Sequence, residues 1–285
     1  DHYLRQILAV GQGQALYVGV MGALGYRGNR RAFERLAAAL PLDRLRDLPD
    51  DVTRESVLFG TAGFLPDPTV QRVAPGSRAH AGALWRAWWS SGVQPVAIDW
   101  DYSGCRPLNS PQRRLAAAHH WLLRWGYRPA RRLTSLAQKS DEKSLWKVLD
   151  SELCFETPWD SRISFSRDSE RSTHLIGPSR RRDIVINVFL PYLAALGVHL
   201  GKDEWQELAE RVCVGAPKLE RNRAFVEAAH RFFVPPSRSR AVLQGACEQQ
   251  GLLHLYRTFC LFHSGECRSC GMALPPTAGK AFEEG

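Results

Sequence analysis

Arginines crowded into a stretch that has no carboxylates are the residues of this chain best placed to do chemistry. Between Tyr102 and Ser140 stand Arg106, Arg113, Arg114, Arg124, Arg128, Arg131, Arg132 and Lys139, without one Asp or Glu. They account for nearly all of the formal charge of +9. Tyr102, Trp121, Trp125 and Tyr127 lie in the same block. A surface of cations and aromatic rings attracts a polyanion and offers bases something to stack on. Arg113 and Arg114 also follow Ser110-Pro111, a helix cap and first-turn pair, where the helix dipole favours anions and disfavours cations. An anion held by the first-turn N–H groups, both guanidiniums, Asn109 and Arg106 would offset that. The structural alternative pairs these arginines with Asp99, Asp101 or a distant carboxylate. Arg180, Arg181 and Arg182 repeat the pattern after Gly177-Pro178, with Asp183 as local compensation.

Cysteine is the second chemical signal. Cys260, Cys267 and Cys270 form a C-x6-C-x2-C pattern that encloses His263. Four zinc ligands are thus available locally, two of them on one tight turn. The spacing is also similar to the iron–sulfur loop of endonuclease III-type DNA glycosylases, although Pro276 stands where their fourth cysteine would be. Zinc is therefore the expected cofactor and an iron–sulfur cluster the runner-up. No P-loop, nucleophile elbow, HExxH or dinucleotide fingerprint is present, and no catalytic residue is assigned. His119 and His120 have no nucleophile or acidic partner beside them in sequence, and His119, on the apolar side of its helix, reads as a core histidine.

The elements that must position these residues are helical. Apolar side chains recur at helical spacing nearly everywhere, so the expected fold is all-α, with a small cysteine-rich metal-binding tail. Asn29 is expected to cap a helix carrying Phe33, Leu36, Ala37 and Leu40, and a second helix to run from Thr53 to Phe64. Trp85, Trp88 and Trp89 belong to another. The helix after Ser110 should stop at Gly126, with Leu115, Ala118, Leu122 and Trp125 buried and Arg113, Ala117, His120 and Arg124 on an opposing basic stripe. Further helices are expected over residues 142–151, 180–197, 202–213, 220–232 and 239–260, and the stretch 154–172 reads as irregular with a short extended segment. Asn187 is expected on an apolar face beside a carbonyl that Pro191 leaves free. The loop at 66–78 suggests three parts: an N-terminal helical subdomain over 1–70, a main helical domain over 79–258 and the tail over 259–285.

Composition sets outer limits. An apolar content of 44% over 285 residues supports a full core. Seven irregularly spaced cysteines point to reduced thiols and a cytoplasmic location rather than a disulfide scaffold. The uncharged run from Gln6 to Tyr26 is rich in Gly and Gln, which favours a buried helix pair over a membrane span.

Several stretches together carry a family resemblance: Gly25-Tyr26-Arg27-Gly28-Asn29, Phe59 to Leu65, Arg106-Pro107-Leu108-Asn109-Ser110-Pro111-Gln112-Arg113-Arg114-Leu115, Ile176-Gly177 through Asn187 to Pro191, and the tail from Gln250 to Cys270. In these the chain resembles the bacterial family called domain of unknown function 2851. That resemblance implies no activity. It does imply a further N-terminal portion with a Val-Glu-x-His type segment, which these residues do not contain. The reading that follows is nucleic-acid binding through phosphates, with a structural metal site. The competing classes are a protein-interaction module that meets an acidic partner, and the non-catalytic part of an enzyme whose centre lies N-terminal to these residues.

Overall fold

Helical periodicity along the chain becomes a mostly helical structure, and the computed structural model describes residues 2–233, 235–261 and 270. The chain forms two compact units, Asp1–Cys213 and Val214–Gly285. In the first, α1 (His2–Val10) and α2 (Gln12–Leu24) meet at Gly11, whose φ of 83° suits glycine. Leu16, Tyr17, Val20, Met21 and Leu24 put α2 at the centre of this unit, with α3 (Tyr26–Ala39) packed along it. A helix pair thus covers residues 6–26 as expected, but only α2 is buried: in α1 Ile7 alone is buried, and Leu8 and Val10 are exposed.

Helix α3 begins a turn earlier than the Asn29 cap would require. Asn29 lies inside it and uses its amide for tertiary bonding instead, accepting from Asp101 N at 2.8 Å and donating to Asp101 O at 2.6 Å. After α4 (Leu42–Arg46) comes α5 (Asp51–Thr61), capped by Asp50, then α6 (Arg78–Ser91). Gly60 allows α5 and α6 to approach, because a Cβ there would stand 2.1 Å from the Trp88 ring.

The next helix, α7 (Pro111–Arg124), starts as its sequence requires: the Ser110 hydroxyl accepts from Arg113 N at 3.3 Å. Its stop is two left-handed residues, Gly126 at φ 58° and Tyr127 at φ 54°. The buried stripe of Leu115, Ala118, Leu122 and Trp125 is as expected, but the opposing basic stripe is not. Arg113 and Ala117 are as deeply buried as their apolar neighbours, so α7 is an interior helix over most of its length. Helices α8 (Pro129–Gln138) and α9 (Glu142–Glu152) follow, then the irregular stretch with its antiparallel pair β1 (Arg162–Ser164) and β2 (Arg167–Asp168).

A long apolar helix closes this unit in three parts: α10 (Pro178–Ile184), a π-helical segment Val185–Phe189 and α11 (Leu190–Leu200). The π segment ends next to Pro191, whose missing N–H frees the Asn187 carbonyl. That carbonyl accepts weakly from Tyr3 Oη at 3.5 Å. The Asn187 side chain, expected to be buried, is exposed and donates to Asp183 O at 3.0 Å. By length and hydropathy Pro178–Leu200 could cross a bilayer, but 56% of its most apolar window is buried within the protein, as in a core helix. Helix α12 (Asp203–Val214) is the last element.

The second unit holds α13 (Arg223–Phe232), α14 (Ser239–Val242), α15 (Ala246–Leu255) and a π-helical segment Tyr256–Leu261. The single helix expected over 239–260 is interrupted at Leu243–Gly245. Its own small core comprises Phe225, Ala228, Ala229, Leu243, Leu252 and Leu253.

Candidate functional site

Three of the motif stretches converge around the Tyr26 ring. Tyr26 adopts a φ of 53°, a left-handed conformation that costs a side-chain-bearing residue about 1–3 kcal/mol. The guanidinium carbon of Arg180 lies 3.5 Å from the ring centroid and that of Arg114 lies 4.5 Å from it. Arg114 Nη2 donates to the Tyr26 hydroxyl at 2.5 Å and to Asn109 Oδ1, while Nη1 donates to Leu175 O at 2.9 Å. Tyr26 Oη in turn donates to Asn109 Oδ1 at 3.4 Å. Two cations on one ring repel each other, and the negative face of the phenol offsets part of that repulsion.

Arg114 has no carboxylate partner among the described residues, and Arg180 has only Asp183 at 3.5 Å. The Nε atoms of both are buried without a hydrogen-bond partner. Burial, with the charges of Arg180 and Arg113 added, pushes the Arg114 pKa down to about 10, while the tyrosine opposes the shift. Arg114 therefore remains a cation at neutral pH. The carboxylate of Asp183, at 3.5 Å from Arg180, is the one ion-pair partner of the two guanidiniums among the described residues.

Arg113, expected in the same site, is elsewhere. Its guanidinium is buried and donates to the carbonyls of Trp159, Asp160, Arg162, Thr173 and His174 and to Thr173 Oγ1. It clamps the irregular stretch onto α7, so its role is structural. Of the other arginines, Arg124 and Arg132 reach Glu152 at 3.4 and 2.7 Å, and Arg181 forms a bidentate pair with Asp150 at 3.1 Å. Arg106, Arg128, Arg131 and Arg182 are exposed and have no ion pair among the described residues. Of the four expected stacking rings only Tyr102 is exposed; Trp121, Trp125 and Tyr127 are buried, the two tryptophans packing on Phe189. A helix amphipathic by sequence places its rings inward when it is enclosed on both sides.

A second cluster escaped sequence reading because its members are far apart in the chain. Glu55 on α5 accepts from His80 Nε2 at 3.0 Å, and His119 Nε2 lies 3.8 Å from the same oxygen. Arg162 Nη1 faces His80 Nδ1 at 3.1 Å. A guanidinium can only donate, so Nδ1 must accept and the proton of neutral His80 sits on Nε2. Burial alone would raise the Glu55 pKa, but the His80 bond and the nearby imidazoles outweigh it and hold it low. Burial lowers His119, and lowers His120 to about 4. Glu55 Oε1 is buried without a partner. His119 is thus a core histidine as expected, but with an acidic neighbour.

No group of His, Cys, Asp or Glu among the described residues is arranged to hold a metal. The expected ligands His263 and Cys267 lie outside the described residues; Cys260 and Cys270 are free thiols. A cavity of about 650 Å³ opens between Asp141, Lys143, Lys202, Trp205 and Arg211, and none of the residues of the two clusters lines it.

The convergence of the motifs on Tyr26 accords with a family match over residues 10–222, to the model described as protein of unknown function (DUF2851). The chain belongs to the DUF2851 family. The match spans the Tyr26 cluster and the Glu55 cluster and stops short of the cysteine tail. No curated protein and no solved structure matches the chain, so the DUF2851 membership brings no activity with it.

Proposed function

We propose that the protein binds nucleic acid through its phosphates, and that Tyr26, Asn109, Arg114 and Arg180 seat one phosphate group. The supporting observation is the pair of guanidiniums on one tyrosine ring, with Arg114 uncompensated by any carboxylate among the described residues. A phosphate would accept from the partly exposed Arg180 and balance at short range the charge of Arg114, whose terminal nitrogens already donate to Leu175, Tyr26 and Asn109. The exposed arginines Arg106, Arg128, Arg131 and Arg182 add backbone contacts. Arg124, Arg132 and Arg181 contribute less, because Glu152 and Asp150 already neutralise them.

Titrating a labelled single-stranded oligonucleotide at increasing salt tests this. Affinity should fall with a log–log slope of about −0.7 per phosphate contact. Arg180→Ala should weaken binding about tenfold and flatten the slope by about one contact. Salt-independent binding, or an unchanged Arg180→Ala variant, overturns the reading. We also propose that Cys260, His263, Cys267 and Cys270 bind one structural zinc ion, on the strength of their spacing.

A further inference from the structure

Helix α6 carries its tryptophans on two faces. Ala81, Leu84 and Trp88 are buried, whereas Trp89 is 65% exposed and Trp85 is half-buried. At 100° per residue, Arg78, Gly82, Trp85, Arg86 and Trp89 fall on a single stripe. The Trp85 and Trp89 rings meet edge to face, with centroids 5.6 Å apart. Arg78 and Arg86 are exposed, and neither has an ion pair among the described residues. No Asp or Glu occurs anywhere in α6. Gly82 keeps the middle of the stripe low, so the Arg86 guanidinium can lie back over it, 3.6 Å from where a Cβ would stand.

Such a stripe has a cost unless it is used. An exposed indole edge leaves apolar area in water, and the two unpaired guanidiniums beside it repel a basic partner and would lose hydration under a purely apolar one. Nucleic acid bases stack on indole faces whatever their sequence, and their phosphates complement the arginines. A closed duplex hides its base faces, so the partner with the right chemistry is single-stranded. We propose that the outward stripe of α6 is a stacking platform for single-stranded nucleic acid, with Trp89 and Trp85 against the bases and Arg78 and Arg86 against the phosphates. This extends the nucleic-acid reading to a separate surface and moves the aromatic role from Trp121 and Tyr127 to α6.

The test compares oligo(dT) with an abasic oligonucleotide of equal length, which keeps the phosphates and lacks the bases, on wild type, Trp89→Ala and Arg180→Ala. Oligo(dT) should bind at least about tenfold tighter than the abasic strand and quench tryptophan fluorescence, and Trp89→Ala should remove most of both effects. Equal affinity for the two strands, with Trp89→Ala neutral, overturns the platform while leaving the phosphate reading in place. Base-dependent binding that is lost in Trp89→Ala but unchanged in Arg180→Ala supports the platform and sinks the Tyr26 cluster instead. If neither strand binds at low salt, both fail. Conversion of a dimer to a monomer by Trp89→Ala would assign the stripe to a second copy of this chain and overturn the proposal as well.

Discussion

Neighbouring arginines of one motif have taken opposite tasks. Arg113 turns inward onto a ring of carbonyls, and Arg114 reaches a tyrosine and an amide whose surroundings remain electropositive. Replacing Arg113 with Met would leave several buried carbonyls without donors, at a cost of roughly 3 kcal/mol or more in denaturant unfolding. Lys in its place should recover little, because one ammonium cannot span acceptors that a planar fork reaches together. Wild-type stability in Arg113→Met would show that water replaces the guanidinium freely. This division was not legible in sequence, because the partners of Arg113 are backbone groups of a stretch some fifty residues on, and carbonyls leave no mark in residue type. Glu55 and His119 were hidden in the same way. Their meeting does have a consequence that can be measured. His119 and His120 have folded pKa values below the unfolded value of 6.5, so the unfolded chain takes up protons first as pH falls. Stability should be full above about pH 6.5 and decline from there toward pH 4, by about 2–3 kcal/mol for His120 after allowance for its partial exposure. Glu55, held below 4.5, adds its own loss only at lower pH. A His120→Gln variant with the same pH profile as wild type would remove His120 from the account.

Elements were legible where their signals are local. Ser110, Pro111 and Gly126 delimit α7 because capping and left-handed stops are decided within a few residues. Pro191 likewise announced a disturbed helix, and the π segment before it is the form that disturbance takes. The start of α3 differs from the expected Asn29 cap because Asn29 can satisfy either a helix end or a distant backbone, and the backbone at Asp101 takes it. The direction of a helix face was the hardest feature to read. A stripe of Trp and Arg looks the same in sequence whether it lies inside, as on α7, or outside, as on α6. Close approach of helices is similarly silent except through small residues. Gly60→Ala would drive a methyl into Trp88, which is nearly buried, and should cost about 1–3 kcal/mol by forcing α5 and α6 apart. Both helices also carry the Glu55–His80 bond, so the variant should change the pH profile as well as the midpoint. An unaltered melting temperature would mean that the Trp88 ring moves aside at no cost.

At the scale of the whole molecule, the charge of +9 is less available than it looks. Arg113 is committed to carbonyls, Arg124 and Arg132 to Glu152 and Arg181 to Asp150, whereas Arg106, Arg128, Arg131 and Arg182 are exposed without an ion pair among the described residues. Those four alone predict a log–log salt slope of about −3 if each meets one phosphate of a single strand. The division into two units has consequences for unfolding. Each unit has a core of its own, the second built on Phe225, Leu243, Leu252 and Leu253, and units with separate cores need not unfold together. Phe225→Ala removes a large side chain from the smaller core, where there is little else to fill the gap, and should lower only the weaker of two thermal transitions. The four expected zinc ligands all belong to this same unit by sequence, and a metal that binds only the folded form adds its binding free energy to that unit alone. Chelation should therefore shift the transition that Phe225→Ala shifts and leave the other in place, with about one zinc per chain released. Zinc-free protein that melts identically with and without chelator would falsify the tail site. Released zinc that lowered the other transition instead would put the metal in residues 1–213, where no described group is arranged to hold it.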